Sequence, residues 1–116
     1  MKPSLEESGP STPEQALRAL AEPNRVEILR LTREAPRSVG EIAAHFDITM
    51  QAVSQHLRVL REAGLLSEER VGTRRLYQLR PEGLEHIRAL VEQLWPDRLQ
   101  RLSHLAETKA QRDRRR

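Results

Sequence analysis

A mainly α-helical domain closed by one small β-hairpin is the fold class this sequence predicts. Three observations predict it. Helix-start signals recur ahead of apolar stripes of helical period, and one glycine-centred stretch switches to extended runs. Aromatics make up only 3% of the residues, so aliphatic side chains must build the core. At 116 residues the chain is long enough for one such domain with a modest core.

Residues 1–11 hold Pro, Ser, Gly and Glu around one packing candidate, Leu5, which predicts a disordered lead-in. At Thr12-Pro13-Glu14-Gln15 a Thr N-cap, a Pro at the first helical position and a Gln three residues after the cap coincide, opening a first helix that runs to about Ala21. Pro23 restarts the chain, and Val26, Ile28, Leu29 and Leu31 give a second helix its apolar stripe up to Ala35-Pro36. Ser38-Val39-Gly40-Glu41 is a capping box for a short third helix with Ile42, Ala43 and Phe46 turned inward. Asp47-Ile48 makes a tight connection, Thr49 caps a fourth helix, and Gly64 suits the position after its end, where φ must be positive.

Beyond Gly64 the period changes. Residues 65–70 and 74–80 read as two strands joined by Val71-Gly72-Thr73, with Arg70, Arg74 and Arg75 crowding the tip of the hairpin. Pro81 starts a long last helix with Leu84, Ile87, Val91 and Leu94 on one side. After Pro96 the stripe resumes in a new phase at Leu99, Leu102 and Ala106, so a kink is expected near Trp95-Pro96. The expected organisation is one domain over residues 12–107 and a basic flexible tail over 108–116.

Composition excludes several functions. The chain has no cysteine, which removes disulfides, thiolate metal sites and cysteine nucleophiles. No apolar run approaches the roughly 20 residues that cross a bilayer, and no signal-like N-terminus is present, so a cytoplasmic protein without a membrane partner is expected. There is no Gly-rich phosphate loop, no Gly-x-Ser-x-Gly and no metal-hydrolase helix; neither an enzyme nor a cofactor is expected. The formal net charge is +3, and its distribution is informative: residues 1–49 carry six basic and eight acidic side chains, residues 50–80 six and three, and residues 81–116 eight and six. Positive charge is therefore concentrated in the middle and at the C-terminal end, compatible with an anionic partner.

The fourth helix lies in that basic middle. At 100° per residue, Val53, Leu57 and Leu60 share one face, while Gln51, Ser54, Gln55 and Arg58 share the opposite one, with Arg61 beside them. Two short helices joined by three residues, the second polar on its outer side, form the helix–turn–helix arrangement that seats one helix in the DNA major groove. Gln can pair with adenine, Arg with guanine, and Ser or Thr with bases or phosphates. Thr49 and the first-turn amides could also hold a phosphate. The competing reading is an ordinary solvated helix face; the short preceding helix and the arginine-tipped hairpin favour DNA. His56, at the edge between the two faces, either packs against the preceding helix or reaches a phosphate. Arg74 and Arg75 either enter the minor groove or touch phosphates, against plain solvation.

The stretches ALAEPNRVEILRL (Ala19–Leu31), EIAAHFDITMQAVSQHLRVLREAGLL and ERVGTRRLYQL closely resemble the ArsR/SmtB winged helix-turn-helix transcriptional regulators over about residues 12–105, and the Ser54–Leu65 run is the specific part. The resemblance implies a dimeric repressor of a double-stranded, pseudo-palindromic DNA operator. It assigns DNA contact to Thr49, Gln51, Ala52, Ser54, Gln55, His56 and Arg58 and to the wing arginines Arg70, Arg74 and Arg75. It also implies a homodimer packed through the first and last helices: Leu17 and Leu20 on one, and Leu84, Ile87, Val91, Leu94, Trp95, Leu99 and Leu102 on the other. The last helix independently carries more apolar surface than a small core can cover; the alternative is that it folds back onto its own core.

Members that sense soft metals carry a Cys-x-Cys pair where this chain has Ser38 and Gly40, which cannot ligate such an ion. Others use His and carboxylates of the last helix, where this chain offers Glu82, Glu85, His86, Asp97 and His104. His86 and His104 would lie roughly 27 Å apart along one unbroken helix, so no metal site is expected, with a cross-dimer site left open. The relieving signal is then an unknown small molecule, a protein effector, or none. Two rival functions remain: a winged-helix protein–protein module that does not read DNA, and a basic tail over 109–116 that binds nucleic acid nonspecifically.

Overall fold

The computed structural model describes residues 12–97. The disordered lead-in, the resumed stripe at Leu99, Leu102 and Ala106, His104 and the basic tail all lie outside the described residues. The element order is α1 (Pro13–Leu20), α2 (Pro23–Glu34), α3 (Val39–Ala43), α4 (Met50–Glu62), β1 (Leu66–Val71), β2 (Arg74–Leu79) and α5 (Pro81–Leu94), the mainly α fold with one hairpin that the sequence predicts.

Local chemistry sets most of the boundaries. The Thr12 hydroxyl accepts from the Gln15 amide at 3.0 Å, while the Gln15 side chain donates at 3.3 Å to the Glu62 carbonyl instead of closing a box on its own cap. That bond ties α1 to the end of α4. At α3 the box is complete: the Glu41 amide donates to the Ser38 hydroxyl at 3.2 Å, and the Ser38 amide donates to the Glu41 carboxylate at 2.8 Å. α2 stops because Ala35, which precedes Pro36, is extended at φ −166° and ψ 154°. The Arg37 guanidinium then satisfies the Leu31 carbonyl at 2.8 Å. Thr32, fully buried, places its hydroxyl on the Ile28 carbonyl one turn back at 2.8 Å.

The core is aliphatic: Ala16 and Ala19 of α1, Ile28, Leu29 and Leu31 of α2, Ile42 of α3, Val53, Leu57 and Leu60 of α4, and the Ala63, Leu65, Leu66 segment that follows. Gly64 ends α4 at φ 77°. Its amide donates to the Arg61 carbonyl at 3.0 Å and the Leu65 amide to the Leu60 carbonyl at 3.0 Å, a Schellman arrangement that also buries Leu60 against Leu65. α5 docks on this corner through Gly83: a Cβ there would sit 2.3 Å from the Gly64 carbonyl oxygen.

Three expectations need correction. The link between α3 and α4 spans residues 44–49 instead of three. After Ala43 the hydrogen bonds tighten to the three-residue spacing, His45 to Ile42 and Phe46 to Ala43, and half-buried Phe46 and Ile48 anchor the connection on the core. The hairpin turn holds two residues, since Val71 pairs with Arg74; Gly72 takes φ 65° and Thr73 does not go positive, the sign pattern of a type II′ turn. Finally, α5 does not kink at Trp95-Pro96 but ends: Trp95 is extended at φ −70° and ψ 125°, as the residue before a proline prefers. One further strand contact is added where Arg37 and Tyr77 exchange backbone hydrogen bonds of 2.9 and 2.7 Å, fastening the hairpin to the start of α3.

Candidate nucleic-acid interface

α4 is two-sided, as its period predicts. Val53, Leu57 and Leu60 are buried; Gln51, Ser54, Gln55 and Arg58 are exposed on the opposite side, and Ala52 is partly exposed beside them. The Thr49 hydroxyl caps the helix by accepting from the Ala52 amide at 3.0 Å, holding the first turn in register at the end that would enter a groove. His56 stands apart from this face. Its side chain is half-buried, with Nδ1 3.4 Å from the Arg25 guanidinium and Nε2 3.9 Å from the Glu22 carboxylate. Arg25 in turn donates to the Ala19 carbonyl at 2.7 Å, so this histidine lies in a polar joint between α4 and the α1–α2 corner.

The arginines do not form one uniform patch. Arg58 pairs with Glu62 at 3.2 Å, Arg61 with Glu68 at 3.1 Å, Arg75 with Glu68 at 3.3 Å and Arg74 with Glu41 at 3.3 Å. Side chains alternate along a hairpin, and Arg70 pairs in register with Arg75 while Arg74 pairs with Val71. Arg70 and Arg75 thus share the face that carries Glu68, and Arg74 projects from the other face toward α3. Arg70 has no carboxylate partner among the described residues. Exposed pairs of this kind contribute only about 0.2–1 kcal/mol, so a phosphate can take over most of these guanidinium groups at little cost.

Two ionisable groups near the wing are perturbed. The Ser38 backbone amide, with help from Arg74, holds the Glu41 carboxyl below the usual carboxylate range. Burial raises the Tyr77 phenol, with neighbouring Glu68 adding to the rise and Arg61 and Arg75 opposing it.

Sequence reasoning missed Met50, which is 53% exposed in the first turn of α4. Helical period places it near the apolar side, but the helix end leaves it outside, where it could meet a thymine methyl. It also missed the glutamates. Only Glu62 had a readable signal, its spacing of four from Arg58.

A helix–turn–helix with a polar second helix, flanked by a hairpin wing bearing arginines, defines a winged DNA-binding module. The comparisons agree. A helix-turn-helix domain family matches residues 20–69. The HTH-type transcriptional regulator Rv2034 of Mycobacterium tuberculosis is 40% identical over 84 residues, spanning 72% of this chain and 78% of the relative. The HTH-type transcriptional repressor SmtB of the same organism is 41% identical over 73 residues, spanning 63% of this chain and 54% of the repressor. Among solved structures, the homodimeric winged helix-turn-helix DNA-binding domain of a possible ArsR-family regulator from Mycobacterium bovis superposes with a TM-score of 0.58 at 31% identity, covering 70% of this chain and 75% of that one. The chain belongs to the ArsR/SmtB family of winged helix-turn-helix transcriptional regulators, whose members bind DNA.

No helix among the described residues is long and apolar enough to cross a membrane, and no three His, Asp or Glu among them come together as a metal site. His86 is partly buried on α5.

Proposed function

We propose that the chain acts in the cytoplasm as a homodimeric repressor that sets two copies of α4 into successive major grooves of a pseudo-palindromic operator. Gln51, Ser54, Gln55 and Arg58 supply base preference; Thr49, Ala52 and the first-turn amides approach the backbone; Arg70, Arg74 and Arg75 of the wing supply phosphate affinity. His56 takes part indirectly, by holding α4 against the α1–α2 corner.

The observation that carries this reading is the exposed amide, hydroxyl and guanidinium face of α4, backed by fully buried Val53 and Leu60. The dimer rests on Leu17, Leu84, Val91, Leu94 and Trp95, all exposed on α1 and at or near α5, and on the homodimeric relative. Leu20 and Ile87 contribute less to that surface, because each already packs partly on its own core. With no cysteine in the chain, a thiolate-bound soft metal cannot be the inducer; relief comes from a small organic effector, a protein partner, or dilution of the repressor itself.

Fluorescence anisotropy tests the reading, using the DNA upstream of the chain's own coding region and a scrambled duplex at two salt concentrations. Tight binding of the first that survives moderate salt supports operator recognition. Weak, sequence-blind binding lost with salt would favour regulation of distant genes or a module for binding other proteins.

A further inference from the structure

Glu68 is unlike the other acidic residues around the arginines. Glu41 and Glu62 each hold one exposed arginine, with their own side chains 52% and 62% exposed, whereas the Glu68 side chain is only 17% exposed. It lies on β1 directly across from half-buried Tyr77, whose ring shares its face of the hairpin. Its two carboxylate oxygens are divided between two elements: Oε1 is 3.1 Å from Arg61 at the end of α4, and Oε2 is 3.3 Å from Arg75 on β2. A guanidinium has five N–H donors, so each arginine keeps several free for another acceptor.

We infer that Glu68 is a positioning residue: by sharing one carboxylate between Arg61 and Arg75, it fixes the angle of the wing against α4 and presents the two guanidinium groups as a spaced pair for successive DNA phosphates. The inference rests on the DNA-binding face proposed above. It runs against bulk electrostatics, and that makes it testable. A carboxylate beside a DNA site repels phosphate, so its loss should strengthen binding if it were only a counter-charge. If it orients two cations, its loss weakens binding although the protein becomes more positive.

The experiment uses the full chain and the tightest duplex selected from a randomised pool, measured by anisotropy across a salt series. Glu68→Gln is expected to weaken the selected duplex about fivefold, the upper range for one such pair, and to weaken unselected DNA less. The same change in an Arg61→Gln/Arg75→Gln background is expected to do nothing further, whereas a role confined to folding would persist there. Tighter or unchanged binding by Glu68→Gln, or an equal loss in the Arg61→Gln/Arg75→Gln background, overturns the inference. If Glu68→Gln does not fold, the single and double arginine variants decide instead: losses that fall short of adding support a shared anchor, and strictly additive losses reject it. Wild-type protein that selects no duplex from the pool would reject the DNA-binding face itself, and this proposal with it.

Discussion

α4 and α5 are helices of similar length, 13 and 14 residues, and both are amphipathic, yet they leave opposite surfaces uncovered. α4 buries Val53, Leu57 and Leu60 and turns amides, a hydroxyl and arginines outward. α5 buries only Gly83 fully, and Leu84, Val91 and Leu94 stay exposed, Leu94 at 73%. Burial of one face is thus common to both; what differs is the chemistry of the face left for a partner. A polar, cationic remainder suits the edges and phosphates of DNA, and an apolar one suits a second copy of the chain.

The strongest way to break this contrast is to place a charge in the apolar remainder. Leu94→Arg is expected to leave a folded monomer, because the side chain makes little of the core, and to lower operator affinity on the order of a hundredfold by removing the second linked half-site contact. Analytical ultracentrifugation reads the first effect and anisotropy the second; an unchanged sedimentation coefficient would rule out this surface as the dimer contact. Gly83→Ala sharpens the comparison from the other side. Its methyl group would meet the Gly64 carbonyl at the corner where α5 docks on the end of α4. A destabilisation of about 1–3 kcal/mol is expected, seen as a fall in Tm of roughly 5–15 °C. A full-strength Tm would show that α5 is free to shift on that corner.

Within the polar remainder, base reading and phosphate binding separate. Gln55→Ala is expected to cost about 1–3 kcal/mol on the preferred duplex and much less on random DNA; equal losses on both would remove Gln55 from base recognition. Arg74→Ala is expected to weaken all sequences alike and to reduce the slope of log K against log salt by about 1. Loss of specificity without a change of slope would move Arg74 from the backbone to a base.

What could be read in the sequence was local. Thr12, Ser38, Thr49 and Gly64 announce helix ends because caps act within a few residues of chain, and the two faces of α4 follow from its period alone. Arg58–Glu62 is likewise a one-turn pair. The remaining links of the site join distant segments: Arg61 and Arg75 through Glu68, Arg74 to Glu41, Gln15 to the Glu62 carbonyl, Gly83 to Gly64. No periodicity encodes these, since each depends on how the hairpin and α5 fold back over the helices. The wing arginines, which the sequence gathers at the tip of the hairpin, are divided between its two faces. Alternation along β2 separates Arg74 from Arg75, and the neighbouring elements then offer each a different carboxylate.

The smallest expected effect concerns Glu41, which belongs to both kinds of contact: Oε1 accepts from the Ser38 amide within the cap of α3, and Oε2 pairs with Arg74 of the wing. Its carboxyl is held below the ordinary range, first by that backbone hydrogen bond. A depressed folded-state pKa contributes stability that is complete above the unfolded value, about 4.3 for Glu, and is lost as pH falls through the lower folded value. Glu41→Gln is therefore expected to lower Tm slightly at neutral pH, with the difference from wild type closing below about pH 4. A difference that stayed constant into acid would assign the effect to lost packing or helix propensity. A difference that closed, but vanished in an Arg74→Ala background, would make the wing contact, more than the cap, the source of α3 stability; persistence there would leave the cap as the cause and the wing as a passenger on it.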